Sequence, residues 1–244
     1  MNAFEGKVAW ITGGRRIGQE IAVALAKLGA DLVISYRSSE KEAQEMVEKI
    51  KPFGRKVFVV QADVTNRESV VEAVEKIKNE FGKLDILILL ASIFKPVKFE
   101  EVSERDWVAN FDVHVKGTFW PMQLSAPIMP PGSHIVTISD RTTLGKVYPG
   151  YVPYVVTKAA VGALTRAAAA ELGSKGIFVN SIAPGPVLKP DDISEDEWQA
   201  IRNESIVKYP LTDKEAVQEF VDTVIRLCSA RSTGSIYPLD FGQL

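Results

Sequence analysis

The sequence is poor in the residues that form disulfides and metal sites. It contains one cysteine, Cys228, and two histidines among 244 residues. A single cysteine excludes an intramolecular disulfide, and so few histidines argue against a Cys/His metal cluster. We therefore predict no metal site and a reducing compartment.

The chain also lacks a membrane-length apolar run, a basic block and a leader-like beginning. Its 29 basic and 31 acidic side chains give a net charge of −2. The first six residues lead directly into an apolar strand, without a basic region and a long apolar stretch. We predict a cytoplasmic protein that acts on a small molecule and has no nucleic-acid or membrane partner.

Short apolar runs rich in β-branched residues alternate with segments of helical periodicity. This alternation is typical of β-α units around a parallel sheet. We predict one α/β domain over residues 1–244, with about seven parallel strands and helices on both faces. The strands are expected at 7–12, 31–36, 56–61, 84–90, 134–139, 177–182 and 235–239, and the helices at 17–28, 39–50, 67–81, 104–125, 152–172 and 213–229.

Residues 184–210, called the excursion below, differ in composition from the rest. They contain four prolines and the acidic run DDISEDE at 191–197. We predict a long excursion over the ligand site, with Trp198 and Tyr209 as candidates to close over a ligand.

A glycine-rich turn, Thr12-Gly13-Gly14-Arg15-Arg16-Ile17-Gly18, joins the first predicted strand to the first helix. Glycines permit a tight turn, and backbone N–H groups at the helix start can face a pyrophosphate. An ordinary strand-to-helix turn is the alternative. The surrounding strand and helix favour a dinucleotide site in a Rossmann-type doubly wound sheet, with Gly13, Arg15, Arg16, Ile17 and Gly18 as contacts.

The end of the second strand reads Tyr36-Arg37-Ser38, where NAD-binding folds place a carboxylate. A cation and a hydroxyl suit a 2′-phosphate, and Arg15 or Arg16 could bind it from the other side. We predict NADP(H); the alternative is that these arginines are solvated surface charges. Asp63, after the third strand, is either an acceptor for the adenine amino group or a helix N-cap.

Tyr154 and Lys158 are four residues apart at the start of an alanine-rich helix, so they share one helical face. Reduction of a carbonyl by hydride needs an acid, and a phenol with a pKa near 10 needs a nearby cation. We predict that Tyr154 is the general acid. Lys158 is expected to lower its pKa and to hold the nicotinamide ribose hydroxyls.

These motifs, together with Asp63-Val64, Asp85-Ile86-Leu87, His114-Val115-Lys116-Gly117-Thr118-Phe119, Val179-Asn180-Ser181-Ile182-Ala183-Pro184-Gly185 and the segment from Gly234 to Asp240, resemble the short-chain dehydrogenase/reductase family. The resemblance spans essentially the whole chain. It implies a homo-tetramer or homo-dimer. It also implies cofactor contacts at Val64, Ala91, Pro184, Gly185 and Val187.

Two departures from the family pattern fall in the cofactor region. The glycine turn is one residue shorter than usual, and Arg16 stands where the middle glycine often is. The usual Asn-Asn-Ala-Gly after the fourth strand reads Leu89-Leu90-Ala91-Ser92.

Two further departures concern the catalytic positions. His114 replaces the asparagine that anchors a proton-relay water, and it has either that role or a packing role. The family serine that binds the substrate oxygen falls at Ser139 or Asp140. The pteridine-reductase branch has an aspartate there and shares the Arg-Arg-Ile-Gly wording of the turn, so Asp140 is the first choice and Ser139 the second. An ionised Asp140 would orient Tyr154 or a substrate ring N–H.

We therefore predict NADPH-dependent reduction of a carbonyl or imine, with a pterin-like or other flat heteroaromatic substrate. One alternative is a 3-oxoacyl thioester (acyl-carrier-protein) reductase, against which the acidic run argues. Another is a catalytically impaired dinucleotide-binding or structural protein, suggested by the shortened turn, Leu89-Leu90 and His114 together.

Overall fold

A seven-stranded parallel sheet forms the centre of the molecule. The computed structural model describes residues 3–13, 16–190, 193–206 and 212–243. The strands lie in the order β3-β2-β1-β4-β5-β6-β7, and every neighbouring pair is parallel. Their bounds are β1 Val8–Thr12, β2 Asp31–Tyr36, β3 Val57–Gln61, β4 Ile86–Leu89, β5 His134–Ile138, β6 Phe178–Pro184 and β7 Ile236–Leu239. The predicted fold class is confirmed.

Eight α-helices in the described residues cover the two faces of this sheet. They are α1 Ile17–Lys27, α2 Glu40–Ile50, α3 Arg67–Phe81, α4 Glu104–Asn110, α5 Gly117–Ser125, α6 Val152–Gly173, α7 Glu195–Asn203 and α8 Asp213–Leu227. A π-helical segment, Phe111–Lys116, joins α4 to α5. The long helix expected over 104–125 is therefore one helical run whose middle turn is widened.

Helix α7 lies inside the excursion, where sequence analysis predicted no helix. Ser194 and Glu197 form a capping box: the Ser194 hydroxyl accepts from the Glu197 N–H at 3.2 Å, and the Glu197 carboxylate accepts from the Ser194 N–H at 2.8 Å. Acidic residues in a first turn also complement the helix dipole. The acidic run is thus the start of a helix.

Apolar side chains fill both faces of the sheet. On one face Ile11 packs with Ile21 and Leu25 of α1 and with α8, and on the other Trp10 packs with α3, α5 and α6. Strands β1 and β4 are buried throughout, as expected for central strands covered on both sides. Cys228, after α8, is buried in the first cluster.

The strand order reverses between β1 and β4, which are adjacent although β2 and β3 separate them in sequence. In open α/β sheets, ligands bind outside the carboxyl ends of the strands at such a switch point. The glycine turn follows β1 at this edge. Within the described residues, no helix combines the length and apolarity needed to cross a bilayer.

Candidate active site

A cavity of about 1120 Å³ opens at the carboxyl edge of the sheet. Every predicted cofactor position that the structure describes lines it, apart from Gly18, which lies under the turn. The predicted catalytic residues line it too, except His114. Gly14, Arg15 and Tyr209 lie outside the described residues.

The glycine turn is packed directly against the backbone that follows β4. Gly13 has φ +69°, and a Cβ built there would lie 2.7 Å from the Ala91 amide nitrogen. Only glycine fits at that approach. A Cβ at Gly18 would lie 3.2 Å from the Gly13 carbonyl oxygen and 3.4 Å from Leu90 Cδ1, so Leu90 packs beneath the turn where the family has an amide.

Arg16 adopts a positive-φ backbone conformation, although the residue at this position in the family is often glycine, which adopts it more easily. Its φ is +54°, in the region that favours glycine. The Arg16 guanidinium lines the cavity and donates a hydrogen bond to the Lys189 carbonyl of the excursion. The glycine turn and the excursion are therefore in direct contact.

The end of β2 presents Tyr36, Arg37 and Ser38 to the cavity, with no carboxylate among them. Asp63 also lines it. Its Oδ1 accepts from the Thr65 N–H at 2.9 Å and from the Thr65 hydroxyl at 2.7 Å. The N-cap of α3 is Asn66, whose side chain accepts from the Ser69 N–H, so the N-cap alternative for Asp63 was wrong.

The remaining positions predicted to contact the cofactor pack closely around the same edge of the sheet. Val64 packs on Gly117 at the start of α5, where a Cβ would lie 2.9 Å from Val64 Cγ2. Gly185 packs on the backbone of Asp240, since a Cβ would lie 2.8 Å from the Asp240 carbonyl oxygen. Pro184 and Val187 line the cavity beside it.

His114 lies in the π-helical segment and joins three parts of the chain. Its Nδ1 is 2.8 Å from the Thr157 hydroxyl of α6, and its Nε2 is 3.0 Å from the Ser92 hydroxyl and 3.1 Å from the Ile93 carbonyl. Burial, with the charge of Lys158, lowers the pKa of His114 to about 3. The imidazole is therefore neutral at physiological pH and holds the loop after β4 against α6.

Tyr154 and Asp140 are hydrogen-bonded inside the cavity. The Tyr154 hydroxyl donates to Asp140 Oδ2 at 2.7 Å. Asp140 Oδ1 accepts from the Thr142 N–H at 2.8 Å and from the Thr142 hydroxyl at 2.7 Å. The Ser139 hydroxyl is turned towards β6, where it donates to the Ile182 carbonyl at 3.1 Å. Of the two alternatives, Asp140 is the one beside Tyr154.

Lys158 and Tyr154 are both buried, and burial favours their neutral forms. Lys158 Nζ donates to the Ile138 carbonyl at 3.0 Å and lies 5.7 Å from the centre of the Tyr154 ring. Burial lowers the pKa of Lys158 to about 8. Burial, followed by the charge of Asp140 and its hydrogen bond, raises the pKa of Tyr154 well above its usual value. The net shift of the Tyr154 pKa is therefore upward, and a lowering contribution from Lys158 stays a prediction.

Two aromatic side chains form a wall next to Tyr154. The rings of Phe94 and Tyr151 are stacked, with centres 4.4 Å apart and an interplanar angle of 11°. Phe94 also meets Tyr154 edge to face at 4.9 Å. Sequence analysis missed this wall, since Phe94 and Tyr151 belong to loops without a recognisable motif.

A buried arginine, also missed from the sequence, connects the site to the excursion. The side chain of Arg141 donates from Nη2 to the Tyr148 hydroxyl at 2.8 Å. Tyr148 in turn donates to Glu204, after α7, and Lys146 forms an ion pair with Glu204 at 3.2 Å. In α7, Trp198 lines the cavity. Its indole N–H donates to the Asp213 carboxylate at 3.1 Å, which holds the ring in place.

Comparison with known proteins identifies the family. The family model described as enoyl-(acyl carrier protein) reductase matches residues 13–243. A hydroxynaphthalene reductase-like protein of Metarhizium anisopliae is 38% identical over 204 residues, covering 82% of this chain and 75% of that protein. A 3-oxoacyl-[acyl-carrier-protein] reductase of Staphylococcus aureus is 32% identical over 228 residues, covering 93% and 92%. A short-chain dehydrogenase of Burkholderia cenocepacia, solved in complex with NADP, superimposes with a TM-score of 0.88 at 29% identity over 99% of both chains. The chain is an oxidoreductase of the short-chain dehydrogenase/reductase family.

Proposed function

We propose that this protein uses NADPH to reduce a carbonyl or imine on a flat ring substrate. The observation that carries the proposal is the Tyr154 hydroxyl, held by Asp140 inside the cavity with the buried Lys158 next to it. A phenol whose pKa is raised keeps its proton at neutral pH, so Tyr154 enters the reaction as the acid.

The residues at the strand ends fit NADP(H). Gly13 allows the turn to pack closely on the Ala91 backbone at the cavity edge. Arg37, Ser38 and Arg16 supply two cations and a hydroxyl for a 2′-phosphate. Asp63 would meet the adenine, and Lys158 and the backbone at 184–187 would meet the nicotinamide half. The Burkholderia relative was solved with NADP, which supports the same cofactor here. When bound, the reduced nicotinamide supplies the hydride.

The chain's own groups handle the proton. Asp140 fixes the Tyr154 hydroxyl through one oxygen while Thr142 holds its other oxygen. When substrate binds, the Tyr154 O–H turns from Asp140 to the substrate oxygen or nitrogen. It donates its proton there as negative charge develops, because an alkoxide is a far stronger base than a phenolate. Lys158 places a positive charge beside that atom.

The wall of Phe94 and Tyr151 supports a flat, aromatic or partly aromatic substrate, since stacked rings favour planar ligands. The similarity to a hydroxynaphthalene reductase-like protein points the same way. A second candidate is 3-oxoacyl thioester reduction, favoured by the similarity to the Staphylococcus reductase over 93% of this chain. The acidic start of α7 argues against docking a phosphate-bearing carrier there.

Oxidation of NADPH, followed at 340 nm with a panel of bicyclic ketones, quinones, dihydropterins and 3-oxoacyl thioesters, tests the proposal. We expect turnover with a ring substrate. Tyr154→Phe should lower kcat at least 100-fold while NADPH affinity stays within threefold, since only the proton donor is removed.

Tyr237→Phe is the matched control, because it also removes a single hydrogen-bonded phenol hydroxyl. Tyr237 lies on β7 and does not line the cavity. The turnover of this variant should equal that of the wild type. Full activity of Tyr154→Phe would refute the assigned role. Preferential turnover of thioesters would select the second candidate, and NADPH binding without turnover of any class would indicate an impaired enzyme.

A further inference from the structure

The strongest unexplained feature of the site is the guanidinium of Arg141. Arg141 follows Asp140 directly, lines the cavity and is only 8% exposed. Its Nη2 donates to Tyr148, but its buried Nη1 has no hydrogen-bond partner in the part of the chain that the structure describes. Buried arginine nitrogens normally have partners, so a donor is missing its acceptor.

The positive charge of Arg141 also lacks a direct ion pair in the described residues. Tyr148 links it to Glu204, whose pKa this charge helps to lower. Among the described ranges, no carboxylate lies within ion-pair distance of it. Asp140 is occupied by Tyr154 and Thr142, and Glu204 by Tyr148 and Lys146. A buried charge without a directly bound counter-ion is costly, and an anionic ligand in the cavity would offset that cost.

The position of Arg141 relates this charge to the chemistry. It is close enough to Tyr154 for its charge to oppose the rise in the pKa of the phenol. The guanidinium carbon also lies 4.9 Å from the centre of the Tyr148 ring, a cation–π contact that adds to the hydrogen bond in holding the side chain in place. The planar guanidinium of Arg141 can donate two parallel hydrogen bonds to the two oxygens of a carboxylate, as such groups also do to a phosphate.

We propose that the substrate carries a carboxylate next to the reducible group and that Arg141 binds it as a specificity-determining residue. This inference rests on the proposed function, in which the ring lies along Phe94 and Tyr151 and its carbonyl or imine meets Tyr154. The substrate class is thus an oxo or imino ring acid.

Binding of benzoate and benzamide in the presence of saturating NADPH tests the anion site without turnover. By calorimetry we expect the wild type to bind benzoate at least tenfold more tightly than benzamide. Arg141→Met should remove this preference and leave benzamide affinity within threefold. Arg141→Lys keeps the positive charge but cannot donate two parallel hydrogen bonds, so it should retain part of the preference for benzoate.

Lys146→Met is the matched control, because it removes a nearby positive charge that lies outside the cavity and is paired with Glu204. It should keep the benzoate preference. Equal binding of the two probes by the wild type overturns the proposal, whether or not Arg141→Met folds. Loss of benzoate binding when NADPH is added also overturns it, since Arg141 would then serve the cofactor.

Turnover separates this inference from the proposed function. For a tetralone carboxylate and its carboxamide, we expect a ratio of kcat/KM above ten in the wild type and near one in Arg141→Met. If both ketones are reduced equally well by the wild type, the anion site is refuted and the reductase stands. If benzoate binds through Arg141 but no ring substrate of any class is reduced, the proposed function fails instead.

Discussion

At the scale of the residue, burial shifts the pKa values of Tyr154 and Lys158 so that the neutral form of each is favoured. For the phenol this form is the protonated one, and for the amine it is the deprotonated one. The phenol retains its proton, because burial and Asp140 raise its pKa. The ammonium of Lys158 loses its proton at a lower pH than usual, because burial lowers its pKa to about 8. Tyr154 therefore keeps its proton at neutral pH, whereas the positive charge of Lys158 is lost in mild alkali.

This difference predicts a pH profile. In NADPH-dependent reduction, kcat/KM should fall as the pH rises through about 8, because Lys158 becomes neutral there. Lys158→Arg should be less active but should lack this fall, since a guanidinium stays charged. Initial rates from pH 6 to 10 provide the measurement. A wild-type profile that is flat to pH 9.5, or an arginine variant with the same fall, would contradict the assignment.

The position of an individual residue in the candidate site was predictable from the sequence only where its spacing from a second residue indicated a shared helical face. Tyr154 and Lys158 are four apart on a helix, and this alone places them on one face. Arg141 and Phe94 carry no such signal. Their importance comes from burial, from a missing partner and from contacts with residues far along the chain, which only the fold provides.

At the scale of the element, the π-helical segment gives His114 its position. The widened turn brings the imidazole between the loop after β4 and α6, where Ser92, Ile93 and Thr157 bind it. Such turns are rare and occur frequently at functional sites. The segment therefore couples the wall of the cavity to the helix that carries Tyr154.

Acid should weaken this connection. The folded protein binds a proton at His114 only near pH 3, whereas the unfolded chain binds one near 6.5, so stability falls as the pH falls between these values. The loss is about 1.4 kcal/mol per pH unit. Between pH 6 and pH 4, wild-type stability should therefore drop about 2–3 kcal/mol more than that of His114→Asn, as measured by urea unfolding. Equal pH dependence in the two proteins would show that the imidazole is not buried in its neutral form.

Most elements followed from hydrophobic periodicity, because strands and helices with a buried face must repeat at 2.0 or 3.6 residues. Helix α7 escaped prediction because its acidic, proline-flanked sequence has a single deeply buried side chain, Trp198. The sequence also left the N-cap of α3 undecided between two residues. Asp63 and Asn66 are both good caps by composition, and only the backbone path shows that the helix begins after Asn66.

At the scale of the whole molecule, parallel strands bring residues from distant parts of the chain to one edge. This explains why the positions predicted to bind the cofactor line one cavity although they extend from Gly13 to Val187. The substrate positions were less predictable, because loops and the excursion supply them and their lengths vary without changing the sheet.

Cofactor binding should stabilise the fold as a unit. At 100 times its Kd, NADPH should add about 2.7 kcal/mol, a rise in Tm of roughly 5–10 °C for a chain of this size. NADH at the same concentration should give a smaller rise, because Arg37 and Ser38 would lack their phosphate. In Arg37→Asp the order should reverse, since a carboxylate accepts from the ribose 2′-hydroxyl and repels a phosphate. A thermal-shift titration with both cofactors measures this, and a larger rise with NADH in the wild type would refute the NADP(H) assignment.

The burial of Cys228 has a practical consequence for labelling experiments. It is the single cysteine of the chain, and burial raises its pKa to about 12, so almost no reactive thiolate is present at neutral pH. The native protein therefore behaves as a cysteine-free background towards maleimides. A cysteine introduced on the exposed face of α7 would be the one thiol to accept a fluorophore, and its emission would report movement of the excursion during turnover.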